Sequence, residues 1–208
     1  MTSVCFCGID GSGKSLQANI LNTFLNKMGK NTTLVHLFSE KSTVISKSHD
    51  KFIVKKFIGF IRRIPNSFLI SPIKIFLRTT NAIIDSWVTY FSNLKKYKDR
   101  VIIYDRYFYD ILVILASEYP RFANVIISFC RFVPRPNRVI ILDIMPEKAL
   151  SRKEGHTLER ARLLCKLYYL LSRKIDSYII DGNQSKEYVA ERIQDSLGRL
   201  FYDAKPAY

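Results

Sequence analysis

Residues Gly8-Ile9-Asp10-Gly11-Ser12-Gly13-Lys14-Ser15 form a complete G-x-x-x-x-G-K-S loop between a short apolar run, Val4-Cys5-Phe6-Cys7, and a stretch with helical spacing of apolar residues. A chain carrying this octapeptide is committed to a strand, a phosphate-cradling loop and a helix, in that order. The loop must turn its backbone N–H groups inward around a polyphosphate, and Gly8, Gly11 and Gly13 admit dihedrals that side chains forbid. Lys14 can then reach the outer phosphates of a nucleoside triphosphate. Ser15 opens the helix, where its hydroxyl can serve Mg²⁺ and the positive end of the helix dipole attracts the anion. Leu16, Ile20, Leu21, Phe24, Leu25 and Met28 are expected to share one buried face before Gly29 ends the helix.

Five β-type runs alternate with helical stretches: Val4 to Cys7, Thr33 to Phe38, Val101 to Tyr104, Val139 to Asp143 and Tyr178 to Asp181. Such alternation predicts a single α/β domain over residues 1–208, with a five-stranded parallel sheet and helices on both faces. Ligands in that architecture sit at the carboxyl ends of the strands. Cys5 and Cys7 are expected to point to the same side of a buried strand. Neither they nor Cys130 and Cys165 have the spacing of a zinc site or a disulfide framework, which favours reduced thiols and a cytoplasmic protein.

The charge balance is strongly basic, with 33 Lys plus Arg against 18 Asp plus Glu and a net charge of +15. That selects anionic company without naming the anion. No basic motif interleaved with aromatic residues is present, so nucleic acid is not the expected partner. Residues 51–80 mix apolar and basic residues but contain no apolar run of the ~20 residues a bilayer span needs. An acceptor-side insertion or dimer-contact helix is favoured there over a peripheral membrane segment.

Two further strand ends carry chemistry. Val101-Ile102-Ile103-Tyr104-Asp105-Arg106-Tyr107 ends an apolar run in a carboxylate followed by a guanidinium. The carboxylate suits a Mg²⁺ hydration shell, and the arginine suits bidentate binding of phosphate oxygens. Leu142-Asp143-Ile144-Met145-Pro146 hands a strand over to a helix, and Arg152, Lys153, Arg160 and Arg162 follow in a polar stretch placed to close over a nucleotide. Basic residues there would neutralise charge developing on a transferred phosphoryl group. An anionic phosphate acceptor needs no general base, whereas an alcohol acceptor would call on a carboxylate such as Asp10 or Asp110.

The loop at 8–15, Asp105-Arg106-Tyr107, the Asp143 to Glu147 handover with its following arginines, and Ile180-Asp181-Gly182 together resemble the thymidylate kinases, in order and over almost the whole chain. The resemblance implies the three-layer P-loop NTPase fold of the nucleoside monophosphate kinases, with ATP and Mg²⁺ as cofactors and a lid at about 151–163. It implies that Gly8 to Ser15 hold the donor phosphates, with Ser15 and Asp105 organising Mg²⁺. Arg106 would bridge donor and acceptor phosphates, and Asp10 would face the acceptor sugar. Lys14, Asp105 and Arg106, with Arg152, Arg160 or Arg162 from the lid, would form the catalytic group. Phe38, Tyr107 and Asp110 join Asp10 and Arg106 as the expected acceptor side of a small-molecule site. A homodimer is compatible with the resemblance.

The acceptor side departs from the family pattern. His36-Leu37-Phe38-Ser39-Glu40-Lys41 stands where an Arg-Glu-Pro-Gly segment is usual, and Asp110 stands where a serine is usual. The expected reaction is phosphoryl transfer from ATP to a nucleoside monophosphate, with dTMP giving dTDP as the leading case. A kinase of a non-nucleotide metabolite and a nucleotide-binding regulatory protein are the alternatives.

Overall fold

The computed structural model describes residues 2–37, 71–153, 155 and 157–201. Five strands form one parallel sheet in the order β2-β3-β1-β4-β5: β1 (Thr2–Cys7), β2 (Thr32–His36), β3 (Val101–Asp105), β4 (Arg138–Asp143) and β5 (Tyr178–Asp181). The fold class and the strand positions agree with expectation. The exception is the end of β2, which stops at His36, so Phe38 falls outside the described residues.

The helices are α1 (Lys14–Lys27), α2 (Ser71–Lys96), α3 (Phe108–Glu118), α4 (Ala123–Ser128), α5 (Pro146–Arg152), α6 (Leu158–Ser172) and α7 (Lys186–Phe201). They cover both faces because successive side chains of a strand point to opposite sides. Val4, Phe6, Ile103, Ile140 and Leu142 pack with Leu21 and Leu25 of α1 and Ile193 and Leu197 of α7. Cys5, Cys7, Ile102, Tyr104 and Ile141 face the other way, onto Leu112 of α3, Ile126 of α4 and Leu167 and Leu171 of α6. Cys5 and Cys7 therefore do share a face, and all four cysteines are free thiols.

The face of α1 differs from the one expected. Ala18, Leu21 and Leu25 are buried together with Lys14 and Gln17, while Leu16 and Met28 are exposed. Lys14 begins the helix, and the phosphate loop turns that first residue inward, which rotates the buried stripe toward Gln17 and Ala18. α1 stops at Lys27, and Gly29 takes the left-handed conformation (φ 74°) that a helix exit commonly uses.

Of the basic apolar segment at 51–80, residues 51–70 lie outside the described residues, and 71–80 form the start of α2. Among the described residues no helix is long and apolar enough to cross a membrane.

Candidate active site

The loop between β1 and α1 has the backbone its glycines promised. Gly8, Gly11 and Gly13 have φ of 144°, 84° and 92°, a region that L side chains rarely adopt. Gly11 is also pinned from outside, because a Cβ there would lie 2.2 Å from the carbonyl oxygen of Ala149 in α5. α5 thus rests directly on the loop. Gly11→Ala is expected to lose about 1–3 kcal/mol of stability from backbone strain and to push α5 off the loop. Gly29→Ala shares the strained φ but has open space around it, so it tests strain alone. A urea melt and kcat measured on both variants check this: only Gly11→Ala should lower kcat.

Lys14 is 5 % exposed, and its ammonium donates to the carbonyls of Gly8 and Ile9, each at 2.7 Å, with Ser12 Oγ at 3.4 Å. Burial lowers its pKa, against the opposing pull of Asp110. The side chain is folded back into its own loop, occupying oxygens that a polyphosphate would draw it from. Ser15 stands in the first turn of α1, exposed beside the loop.

Asp10 is where cations converge. Arg106 donates to its Oδ1, Lys14 Nζ lies 4.0 Å from the same oxygen, and Lys153 Nζ lies 3.5 Å from Oδ2. Burial alone would raise the Asp10 pKa, but Arg106, Lys14 and Lys153 outweigh it and hold the carboxyl below the usual range. Arg106 sits at φ 77°, the one non-glycine residue with positive φ among the described residues. Such a backbone is strained and recurs at functional sites.

Of the basic residues expected to close over a nucleotide, Lys153 is the one that lies at the loop here. α5 ends at Arg152, and Lys153 follows with extended backbone (φ −151°, ψ 115°), its N–H donating to the Ala149 carbonyl that packs on Gly11. The helix end therefore places Lys153 over the loop. Arg152 and Arg160 are exposed, and Arg162 pairs with Glu147 at 2.8 Å. Where the last helical turn stops decides which of two adjacent cations turns inward, and no residue spacing encodes that.

Asp105 closes β3 at 5 % exposure. His36 Nδ1 lies 2.9 Å from its Oδ2, while Oδ1 is buried and accepts no hydrogen bond among the described residues. A buried carboxylate oxygen left open beside a phosphate loop fits the water shell of a divalent cation.

Tyr107 and Asp110, expected on the acceptor side, are both buried with partners of their own. Tyr107 is 3 % exposed and its hydroxyl donates to the carbonyl of Pro134 at 2.7 Å, so it is a core residue. Asp110 is buried at the start of α3, where its Oδ2 accepts the Tyr107 N–H at 2.8 Å and its Oδ1 accepts the Tyr168 hydroxyl from α6. Burial raises the Asp110 pKa, with Lys14 the main opposing charge. The cause is the helix start: a carboxylate three residues past the N-cap reaches back to the cap's N–H. Tyr168, which completes this network from the helix after the lid, carries no motif signal in the sequence.

At the far side of the loop, Gly182 N donates to Asp143 O at 2.6 Å and Asn183 Oδ1 accepts from Met145 N at 2.9 Å. The ends of β4 and β5 are thereby tied into one rim around the loop.

The thymidylate kinase family model matches residues 6–193. The chain is 26 % identical over 203 residues to a thymidylate kinase of Thermosipho africanus, covering 92 % of this chain and 94 % of that one. It is also 26 % identical over 197 residues to a probable thymidylate kinase of Saccharolobus solfataricus, covering 89 % and 90 %. In fold it is similar to the crystal structure of thymidylate kinase from Ehrlichia chaffeensis, with a TM-score of 0.58 at 14 % identity over 94 % of this chain and 98 % of that one. Because the family model spans residues 6–193, from the end of β1 into α7, the chain belongs to the thymidylate kinase family.

Proposed function

We propose that the protein transfers the γ-phosphoryl group of ATP to dTMP, giving dTDP, with Mg²⁺ bound at Ser15 and Asp105. The observation that carries the reading is the convergence of Lys14, Arg106 and Lys153 on Asp10 at the mouth of the phosphate loop. Three cations from the loop, the end of β3 and the lid surround one point, where a phosphoryl group in transit would meet them all.

Phosphoryl transfer to a phosphate oxygen demands alignment and charge neutralisation more than proton removal, because the acceptor is already an anion. Donor phosphates entering the loop would draw Lys14 away from Gly8 and Ile9 and turn the loop amides onto themselves. Arg106, already beside the loop, would span donor and acceptor phosphates with its planar guanidinium. Lys153 would add the lid's charge, and seating α5 on Gly11 would exclude water from the reacting oxygens. Asp10 would exchange part of its cation contact for the acceptor sugar. Mg²⁺, held on the side of Ser15 and Asp105, would supply charge neutralisation for the donor phosphates.

Steady-state turnover of deoxynucleoside and ribonucleoside monophosphates with ATP and Mg²⁺ tests the proposal. dTMP should give the highest kcat/KM. If ATP binds but no monophosphate is turned over, the reading is wrong.

A further inference from the structure

His36 closes β2 directly opposite Asp105, a pairing imposed by the register of β2 on β3. The two oxygens of Asp105 have different surroundings as a result. Oδ2 has the imidazole Nδ1 at 2.9 Å, whereas Oδ1 is buried and accepts no hydrogen bond among the described residues. A buried acceptor left unpaired costs about 1–3 kcal/mol, so a fold that keeps one is poised to pair it with a ligand.

A carboxylate with no anchor can turn about its terminal torsion, which is broad and roughly two-fold, and present either oxygen. The contact with His36 removes that choice. We infer that His36 is a positioning residue for the divalent cation: it holds Asp105 by Oδ2 so that Oδ1 meets the cation's hydration water beside the phosphate loop. The inference rests on reading Asp105 as the metal-side carboxylate.

The residue type matters here. An arginine at position 36 could engage both carboxylate oxygens at once and occupy the one the cation needs. A leucine would leave both oxygens without this contact. Imidazole offers one nitrogen to one oxygen, and its side chain is 47 % exposed, so replacing it leaves the core packing intact.

Mn²⁺ binding to the enzyme–ADP complex, followed by loss of the free-ion electron paramagnetic resonance signal, tests this without turnover. Partners of this outer kind are typically worth about 10–100-fold in metal affinity. His36→Leu should therefore weaken Mn²⁺ binding by about tenfold, while ADP affinity measured without metal stays at the parent value. His36→Asn, whose amide can donate from near the Nδ1 position, should recover most of the loss. In kinetics, the Mg²⁺ concentration giving half-maximal rate should rise in His36→Leu more than the KM for ATP. If His36→Leu binds Mn²⁺ as tightly as the parent, or His36→Asn is as weak as His36→Leu, the positioning role is overturned. Asp105→Asn separates the two levels of the argument. If it weakens Mn²⁺ binding, the metal reading of Asp105 stands whatever His36 does; if it does not, that reading and the His36 inference fall together.

Discussion

Arg106→Gly is expected to lower kcat by about a thousandfold, the lower end of what a catalytic arginine contributes to phosphoryl transfer, while changing stability by less than about 1 kcal/mol. The two effects separate because they arise from different parts of the residue. The backbone of Arg106 is left-handed at φ 77°, which costs an L side chain about 1–2 kcal/mol and costs glycine almost nothing. Against that relief stands the loss of the Asp10 ion pair. Asp10 keeps Lys14 and Lys153 beside it and so is not left as an uncompensated charge, which holds the loss to roughly 1 kcal/mol. The guanidinium itself has no replacement. Arg106→Lys keeps one charge but loses the planar fork, and should recover only part of the rate. Saturating kcat with ATP and dTMP, set beside a urea melt, reads both quantities. A kcat within tenfold of the parent would remove Arg106 from the reacting phosphates.

The largest loss of stability is expected from Asp110→Ala. Its carboxylate accepts the Tyr107 N–H and the Tyr168 hydroxyl inside the core, at 1 % exposure. Deleting it strands two buried donors at about 1–3 kcal/mol each, for a loss of about 3–5 kcal/mol in all. In a chain of this size that lowers Tm by roughly 10 °C. Asp110→Asn should cost much less, because the Tyr168 hydroxyl can reverse its role and accept from the new amide.

The same residue sets a pH dependence. Burial raises the Asp110 pKa in the folded state, so the ionised form is the disfavoured one there. Its penalty on stability is absent below the unfolded carboxylate pKa and grows as pH rises through the interval up to the folded value. Asp110→Asn should flatten that part of the stability profile, while the parent loses stability across it. A flat parent profile, or an alanine variant as stable as the parent, would show that Asp110 does not anchor α3 to α6.

The donor half of the site was legible because its information is local. Gly8, Gly11 and Gly13 are needed by the backbone of an eight-residue loop, and the flanking strand and helix follow within the next few residues. Asp105 and Arg106 were legible for a similar reason, since an apolar run ending in Asp-Arg places both at a strand end whatever the rest of the chain does. The face of α1 was misjudged because apolar spacing alone does not register that the loop turns Lys14 and Gln17 inward.

The acceptor half was not legible, because its assignments depend on contacts between distant segments. Tyr107 and Asp110 look like site residues by position, yet Pro134 and Tyr168 turn them into core and cap. Lys153 rather than Arg152 reaches Asp10 because α5 ends at Arg152 and the chain leaves the helix with extended backbone at Lys153.

By itself, the sequence determined that this chain binds a nucleoside triphosphate on a parallel α/β sheet, since a glycine loop, a lysine and a strand-to-helix handover need only neighbouring residues to form. Only the tertiary structure decided which oxygen of Asp105 stays open, which cation past α5 reaches Asp10, and that His36 stands opposite Asp105. Sheet register and helix ends set those directions, and both are settled by packing across the whole domain.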